Sequence, residues 1–227
     1  RYQTSSTETS KQEGLMAAAK SFIEATGDKN DAITDAAQKH RIALVKFAGT
    51  ESTTTGNDTY GDYEYNYTQI VQELTSDEAT LLQRLGELSE AGATSADYGM
   101  NRAAAALGDL STDDGRQKII IMFTDGEPNH GNGFSDSVAA ATINKAQELK
   151  EKNVTIYTIG VLKGADPELD PTLASTSDIN KYLHAVSSNY PDATATNNFT
   201  VTWGNTGSYT DGFYKTATTS SELNSIF

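Results

Sequence analysis

The residues best placed to do chemistry lie in one short stretch. Lys118–Phe123 (KIIIMF) is the most apolar segment of the chain, and Thr124-Asp125-Gly126-Glu127 follows it directly. If that run is a buried strand, Asp125 stands at its mouth. A carboxylate in such a place is costly unless it is paired, hydrogen-bonded or bound to a metal ion, although Asp at a strand end can equally cap or turn the chain. The other chemical patterns are weaker. Gly131-Asn132-Gly133-Phe134-Ser135-Asp136 resembles the start of a dinucleotide fingerprint, but it ends in Asp136 instead of Gly or Ala and begins well after the strand. There is no Walker pattern and no G-x-S-x-G elbow. His40, His130 and His184 stand far apart, without an H-E-x-x-H. His40 precedes a strand and His184 lies within a helix, so both read as structural. No nucleophile–base pair assembles, and the chain is expected not to be an enzyme.

The elements that must position Asp125 follow from periodicity. Leu15, Ala18, Ala19, Phe22 and Ile23 form one stripe and predict a helix over Lys11–Thr26, with Ser10 to cap it and Gly27 to end it. Ile42–Phe47 (IALVKF) reads as a buried strand. Thr50–Asn66 reads as a long polar loop with a tyrosine cluster, and Tyr67–Leu74 as an edge strand. Leu81, Leu82, Leu85 and Leu88 mark a helix over Asp77–Leu88. Gly92 breaks the chain, and Thr94 or Ser95 caps a further helix reaching about Leu107. Ser111–Arg116 is a turn, and Lys118–Phe123 should be a central parallel strand buried on both faces. A helix over Ser135–Lys152, a strand over Val154–Val161, a short helix over Asp178–Ser188, a strand over Phe213–Ala217 and a last helix from Ser220 complete the order. Helices alternating with apolar strands predict an α/β fold, a mostly parallel central sheet flanked by helices. Ligands of such sheets bind beyond the carboxyl ends of the strands. No repeat or linker divides the chain, so residues 1–227 are expected to form a single domain.

Composition narrows the function. The 227 residues carry 17 Lys+Arg against 31 Asp+Glu, a net charge of −14, and no cysteine. A disulfide framework, a Cys-ligated metal and a thiol nucleophile are thereby excluded. The charge argues against nucleic-acid or anionic-membrane partners, and no apolar run approaches the roughly 18–20 residues of a membrane-spanning helix. Arg1–Glu8 lacks the apolar core of a signal peptide. An acidic chain rich in Thr, Asn and Tyr and free of cysteine has the composition of a Gram-positive surface protein, and equally that of many soluble acidic domains.

The order of a helix, RIALVKFAG, a Leu-rich helix, GATSADYGMNRAAAAL, KIIIMFTDGEPN, a helix and VTIYTIGV resembles a von Willebrand factor type A domain over nearly the whole chain, from Lys11 to Phe227. The later segments Ser177–Leu183, Phe213–Lys215 and Ser221–Leu223 are similar to adhesive pilus-tip subunits and cell-wall-anchored adhesins of Gram-positive bacteria. The resemblance implies a Rossmann-like fold with long loop insertions and a metal-ion-dependent adhesion site. Thr94 would offer its hydroxyl and Asp125 its carboxylate to Mg²⁺, or to Mn²⁺ or Ca²⁺. The ion would take a carboxylate from a host or extracellular-matrix protein, and neighbouring domains of the same surface protein would be further partners. The implied setting is extracellular, at the bacterial cell wall, in a secreted virulence factor. The alternative within the family is a structural or assembly domain of a pilus without a working metal site.

The family's first loop, D-x-S-x-S, has no counterpart here: Gln3, Ser5 and Thr7 mimic its spacing without a carboxylate. The resemblance therefore implies that the first, central strand and three ligands lie upstream of residue 1. Some segment should fill that slot in the sheet, because unpaired inner edges are not tolerated.

Overall fold

In the computed structural model, residues 11–53, 56–60, 62–89, 91–111, 114–162, 164–217 and 222 are described. Helix α1 runs over Lys11–Asp31. Gly27 does not end it, as periodicity predicted, but lies buried within it. A Cβ there would collide with the Glu78 carboxylate, so glycine lets the next helix approach closely. The expected cap at Ser10 and the last helix from Ser220 lie outside the described residues, Glu222 apart.

Strand β1 (Ile42–Lys46) pairs antiparallel with β4 (Gln69–Thr75), so the expected edge strand is present. Between them the stretch read as a loop folds into a hairpin, β2 (Asn57–Tyr60) against β3 (Tyr63–Asn66). Alternating Tyr and polar residues support strands better than a loop reading allows, because aromatic residues favour the pleat. Helices α2 (Glu78–Gly86) and α3 (Ala96–Leu107) follow. A second sheet is wholly parallel: β5 (Lys118–Thr124), β6 (Val154–Gly160) and β9 (Tyr214–Thr216), in that order. Helix α4 (Asp136–Lys150) joins β5 to β6. Helix α5 (Asp178–Val186) and the short ladder β7 (Thr194–Ala195) with β8 (Val201–Thr202) lead to β9.

The expectation that β5 is buried on both faces with a neighbour on each side needs correction. Among the described residues β5 pairs only with β6, and Ile119 is 44 % exposed. No ladder joins β1 to β5. What unites the two sheets is shared helices. On one face Ala18 and Leu15 of α1 pack on Ile159, Val161 and Phe123, while Ile23 and Ala19 of the same helix pack with Leu81, Leu85, Ile42 and Leu44. On the other face Ala96 and Met100 of α3 pack with Ile120 and Met122, with Phe47 alongside. Gly99 makes this contact possible, since a Cβ there would lie 2.8 Å from Phe47 Cβ.

Hydrogen bonds brace both ends of the gap. Arg116, just before β5, donates from Nη1 to Lys39 O at 2.9 Å and from Nη2 to Ala37 O, just before β1. At the far end Ser95 N donates to Ala48 O and Asn129 N donates to Thr94 O. Strands β1 and β5 therefore run in the same direction, side by side but unladdered.

The best-packed region lies on the α4/α5 side. Ile143, Ala146, Ile156, Leu183 and Val186 are fully buried there, with Tyr182 and Tyr214 beside them.

Candidate functional site

The carboxyl ends of β1 and β5 open onto two loops, one before α3 and one after β5. The first brings Thr94 and Ser95. Ser95 stands at the N-terminus of α3 but makes no side-chain cap. Its hydroxyl instead donates to Ala48 O at 2.5 Å, as its backbone N–H does at 3.2 Å, so it ties the loop to the end of β1. The cap expected from Thr94 or Ser95 is, for Ser95, replaced by a tertiary bond, which local spacing cannot reveal. Thr94, half-buried, exchanges backbone contacts with Asn129 as an isolated bridge.

The second loop begins with Thr124, buried, whose hydroxyl donates to Gly126 O at 2.8 Å and shapes a tight turn. Asp125 is exposed at the tip of that turn. Among the described residues no hydrogen bond or ion pair engages its carboxylate. A Cβ on Gly126 would lie 2.6 Å from Thr94 Oγ1, so the two loops meet in contact. The two residues singled out in the sequence are therefore neighbours in space, on separate loops about thirty residues apart. Both offer hard oxygen donors, the chemistry that suits Mg²⁺, Mn²⁺ or Ca²⁺. Among the described residues no three His, Asp or Glu side chains converge in a way that could hold a metal on their own.

Several residues around the site carried no functional reading in the sequence. Asn129, 9 % exposed, stiffens its loop by donating to Glu127 O at 2.7 Å and accepting from Gly131 N at 3.0 Å. His130 Nε2 lies 2.9 and 3.1 Å from the two carboxylate oxygens of Asp97, in the first turn of α3. Its ring stacks on Tyr98, with centroids 4.6 Å apart and planes at 12°. The only sequence signal was a histidine five residues after Asp125. The hairpin β2–β3 borders the same end: Asn66 N–H donates to Ala91 O, its side chain to Ser89 O, and Tyr65 packs over Gly92.

The other two histidines fall as expected. His40 is exposed at the start of β1, and its backbone is tied to Asn30. His184 is fully buried in α5, and burial pulls its pKa down to about 4.

The description "von Willebrand factor type A domain" matches residues 5–200. Solved structures share the fold. The vWF domain of the type V pili tip protein Mfa5 from Porphyromonas gingivalis is 15 % identical, with a TM-score of 0.56 and coverage of 95 % of this chain and 86 % of that one. Manganese-loaded TRAP protein from Plasmodium vivax is 16 % identical, with a TM-score of 0.52, covering 93 % and 63 %. Proximal thread matrix protein 1 from the mussel byssus is 15 % identical, with a TM-score of 0.51, and this chain spans 41 % of its length. No curated protein matches the chain. Among the described residues no helix is long and apolar enough to cross a membrane. With residues 5–200 of 227 matched and the alternation of strands and helices in place, the chain belongs to the von Willebrand factor type A domain family.

Proposed function

We propose that the chain is an adhesion module of a bacterial surface protein, which engages a host or matrix protein through a divalent cation at Thr94 and Asp125. The observation that carries this reading is the contact of two loops that places the Thr94 hydroxyl beside the Asp125–Gly126 turn, with the Asp125 carboxylate left open to solvent. Thr94 and Asp125 are oxygen donors of the kind Mg²⁺ takes first, with Mn²⁺ or Ca²⁺ as substitutes. When bound, the cation supplies a positive charge on which a partner carboxylate can close the coordination shell. The manganese-loaded TRAP structure and the pilus-tip domain Mfa5 support such a role for this fold.

Two oxygens do not hold an ion alone. The remaining ligands would come from a D-x-S-x-S loop, ending a strand that lies between β1 and β5 and pairs with both. Among the described residues no ladder joins the facing sides of those strands, which are braced at each end, and that supports the placement. The setting is extracellular, at a Gram-positive cell wall, beside other domains of the same protein. Catalysis has no part in this reading.

A second reading, a structural or assembly domain of a pilus without a metal, is favoured by the lack of three converging acidic or histidine side chains among the described residues. Calorimetric titration with Mg²⁺ separates the two. The chain extended upstream by the D-x-S-x-S strand should bind Mg²⁺ more tightly than residues 1–227, and Asp125→Ala should abolish the gain. Equal affinity of both forms, unchanged by the substitution, overturns the adhesion mechanism in favour of the structural reading.

A further inference from the structure

The two loops at the candidate site must keep a fixed separation if Thr94 and Asp125 are to act together, yet both are built from flexible sequence. The loop after β5 contains Gly126, Gly131 and Gly133, and Gly133 adopts a φ of 69° that favours glycine. The loop before α3 contains Gly92, with a φ of 122°. Neither loop lies within a strand ladder that would hold it.

What crosses between them is a small set of contacts. One backbone hydrogen bond runs from Asn129 N to Thr94 O at 2.9 Å. Beside it stands a side-chain hydrogen bond between the loop after β5 and α3: His130 Nε2 lies within 3.1 Å of both oxygens of Asp97. Asp97 is 13 % exposed by side chain and sits in the first turn of α3, where the helix dipole favours a negative charge. Tyr98 stacks flat on the imidazole and fixes its plane. His130 is thus held in position and direction by two consecutive residues of α3, the helix that begins just after Thr94.

We infer that His130 and Asp97 form a clasp that fixes the spacing of the Thr94 and Asp125 loops, and through it tunes cation affinity without touching the ion. The effect on affinity rests on the proposed cation site; the clasp itself does not. His130 is a positioning residue on this view, comparable to the outer partners that orient metal ligands and whose loss typically costs about 10–100-fold in affinity.

The test compares the wild-type chain, extended upstream as in the titration above, with His130→Ala, His130→Gln, Asp97→Ala and the double alanine variant, each extended alike. Two quantities are read: the Mg²⁺ dissociation constant by calorimetry, and hydrogen exchange of the Asn129 amide without metal. His130→Ala and Asp97→Ala should each weaken Mg²⁺ about tenfold and speed Asn129 exchange. The double variant should be no worse than either single one. His130→Gln, which keeps an N–H donor for Asp97, should recover much of both, a rescue that loss of packing alone would not give. Wild-type affinity in His130→Ala, where wild type binds, or unchanged Asn129 exchange overturns the inference. If wild type binds no Mg²⁺, the proposed function falls, and the clasp is judged by exchange: faster exchange in the alanine variants upholds it and unchanged exchange refutes it.

Discussion

Two regions of the molecule treat polar groups in opposite ways. Behind α4 and α5, polar side chains are buried and most of their polar atoms are answered from within, the Tyr182 hydroxyl and His184 Nε2 excepted. Asn189 donates to His184 Nδ1 at 2.9 Å and to Tyr209 O at 3.2 Å, and accepts from Phe213 N at 2.8 Å. Asn180 donates to Gly164 O and Ser177 Oγ, and accepts from Asp166 N and Tyr214 Oη. Lys150 extends its ammonium to the carbonyls of Ala185, Ser187 and Tyr190, at the C-terminal end of α5. Burial pulls its pKa down to about 7, against the opposing attraction of Asp192. At the carboxyl ends of β1 and β5 the polar groups instead bind the loops to each other, while Asp125 stays exposed. The difference follows from access to water. A buried polar group must be paired or the fold loses stability, and internal pairing answers these three side chains. An exposed carboxylate at the tip of a braced turn has no such internal account.

The sharpest way to break the first region is Asn189→Ala. It leaves His184 Nδ1, Phe213 N–H and Tyr209 O without this partner, and should cost about 3 kcal/mol or more by urea denaturation, given at least about 1 kcal/mol for each orphaned group. The same network should respond to acid. His184 has a folded pKa of about 4, lowered mainly by burial, whereas the unfolded chain titrates near the ordinary value of about 6.5. Between those values the unfolded state takes up a proton that the folded state refuses. The contribution of neutral His184 is therefore complete above about pH 6.5 and fades as pH falls to about 4, a loss of about 3 kcal/mol. His184→Gln should flatten that part of a stability–pH curve.

At the second region the expected effects on stability are smaller. Gly126→Ala places a methyl 2.6 Å from Thr94 Oγ1 and must push the loops apart. It should cost about 1 kcal/mol in thermal unfolding and weaken Mg²⁺ binding in the same titration. Asp125→Ala should change stability by less than about 0.5 kcal/mol, as for other exposed positions. A stability loss as large as that of Asn189→Ala would show that Asp125 belongs with the first region, and the contrast would fail.

Much of the fold was legible because apolar periodicity is a local property. KIIIMF and VTIYTIGV are apolar, β-branched runs of strand length, and the leucines at 81, 82, 85 and 88 lie on one helical stripe. The hairpin at 57–66 was missed because its Tyr–polar alternation spans only four residues and sits among Thr, Asn, Asp and Gly, which mark loops as readily. Gly27 was misread as a helix stop because its reason, the approach of Glu78, lies in another helix.

For the site, the sequence by itself pointed to Asp125 at the mouth of an apolar strand in a chain without a thiol, and the family resemblance added Thr94 as a second oxygen donor. Only the tertiary structure decided that Thr94 meets the turn holding Asp125 and Gly126, that Ser95 is spent on Ala48, and that His130 closes on Asp97. Which side chains can bind a cation is written in their atoms. Whether they stand within reach of each other depends on helices α1 and α3, which pack across both sheets and bring loops about thirty residues apart into contact.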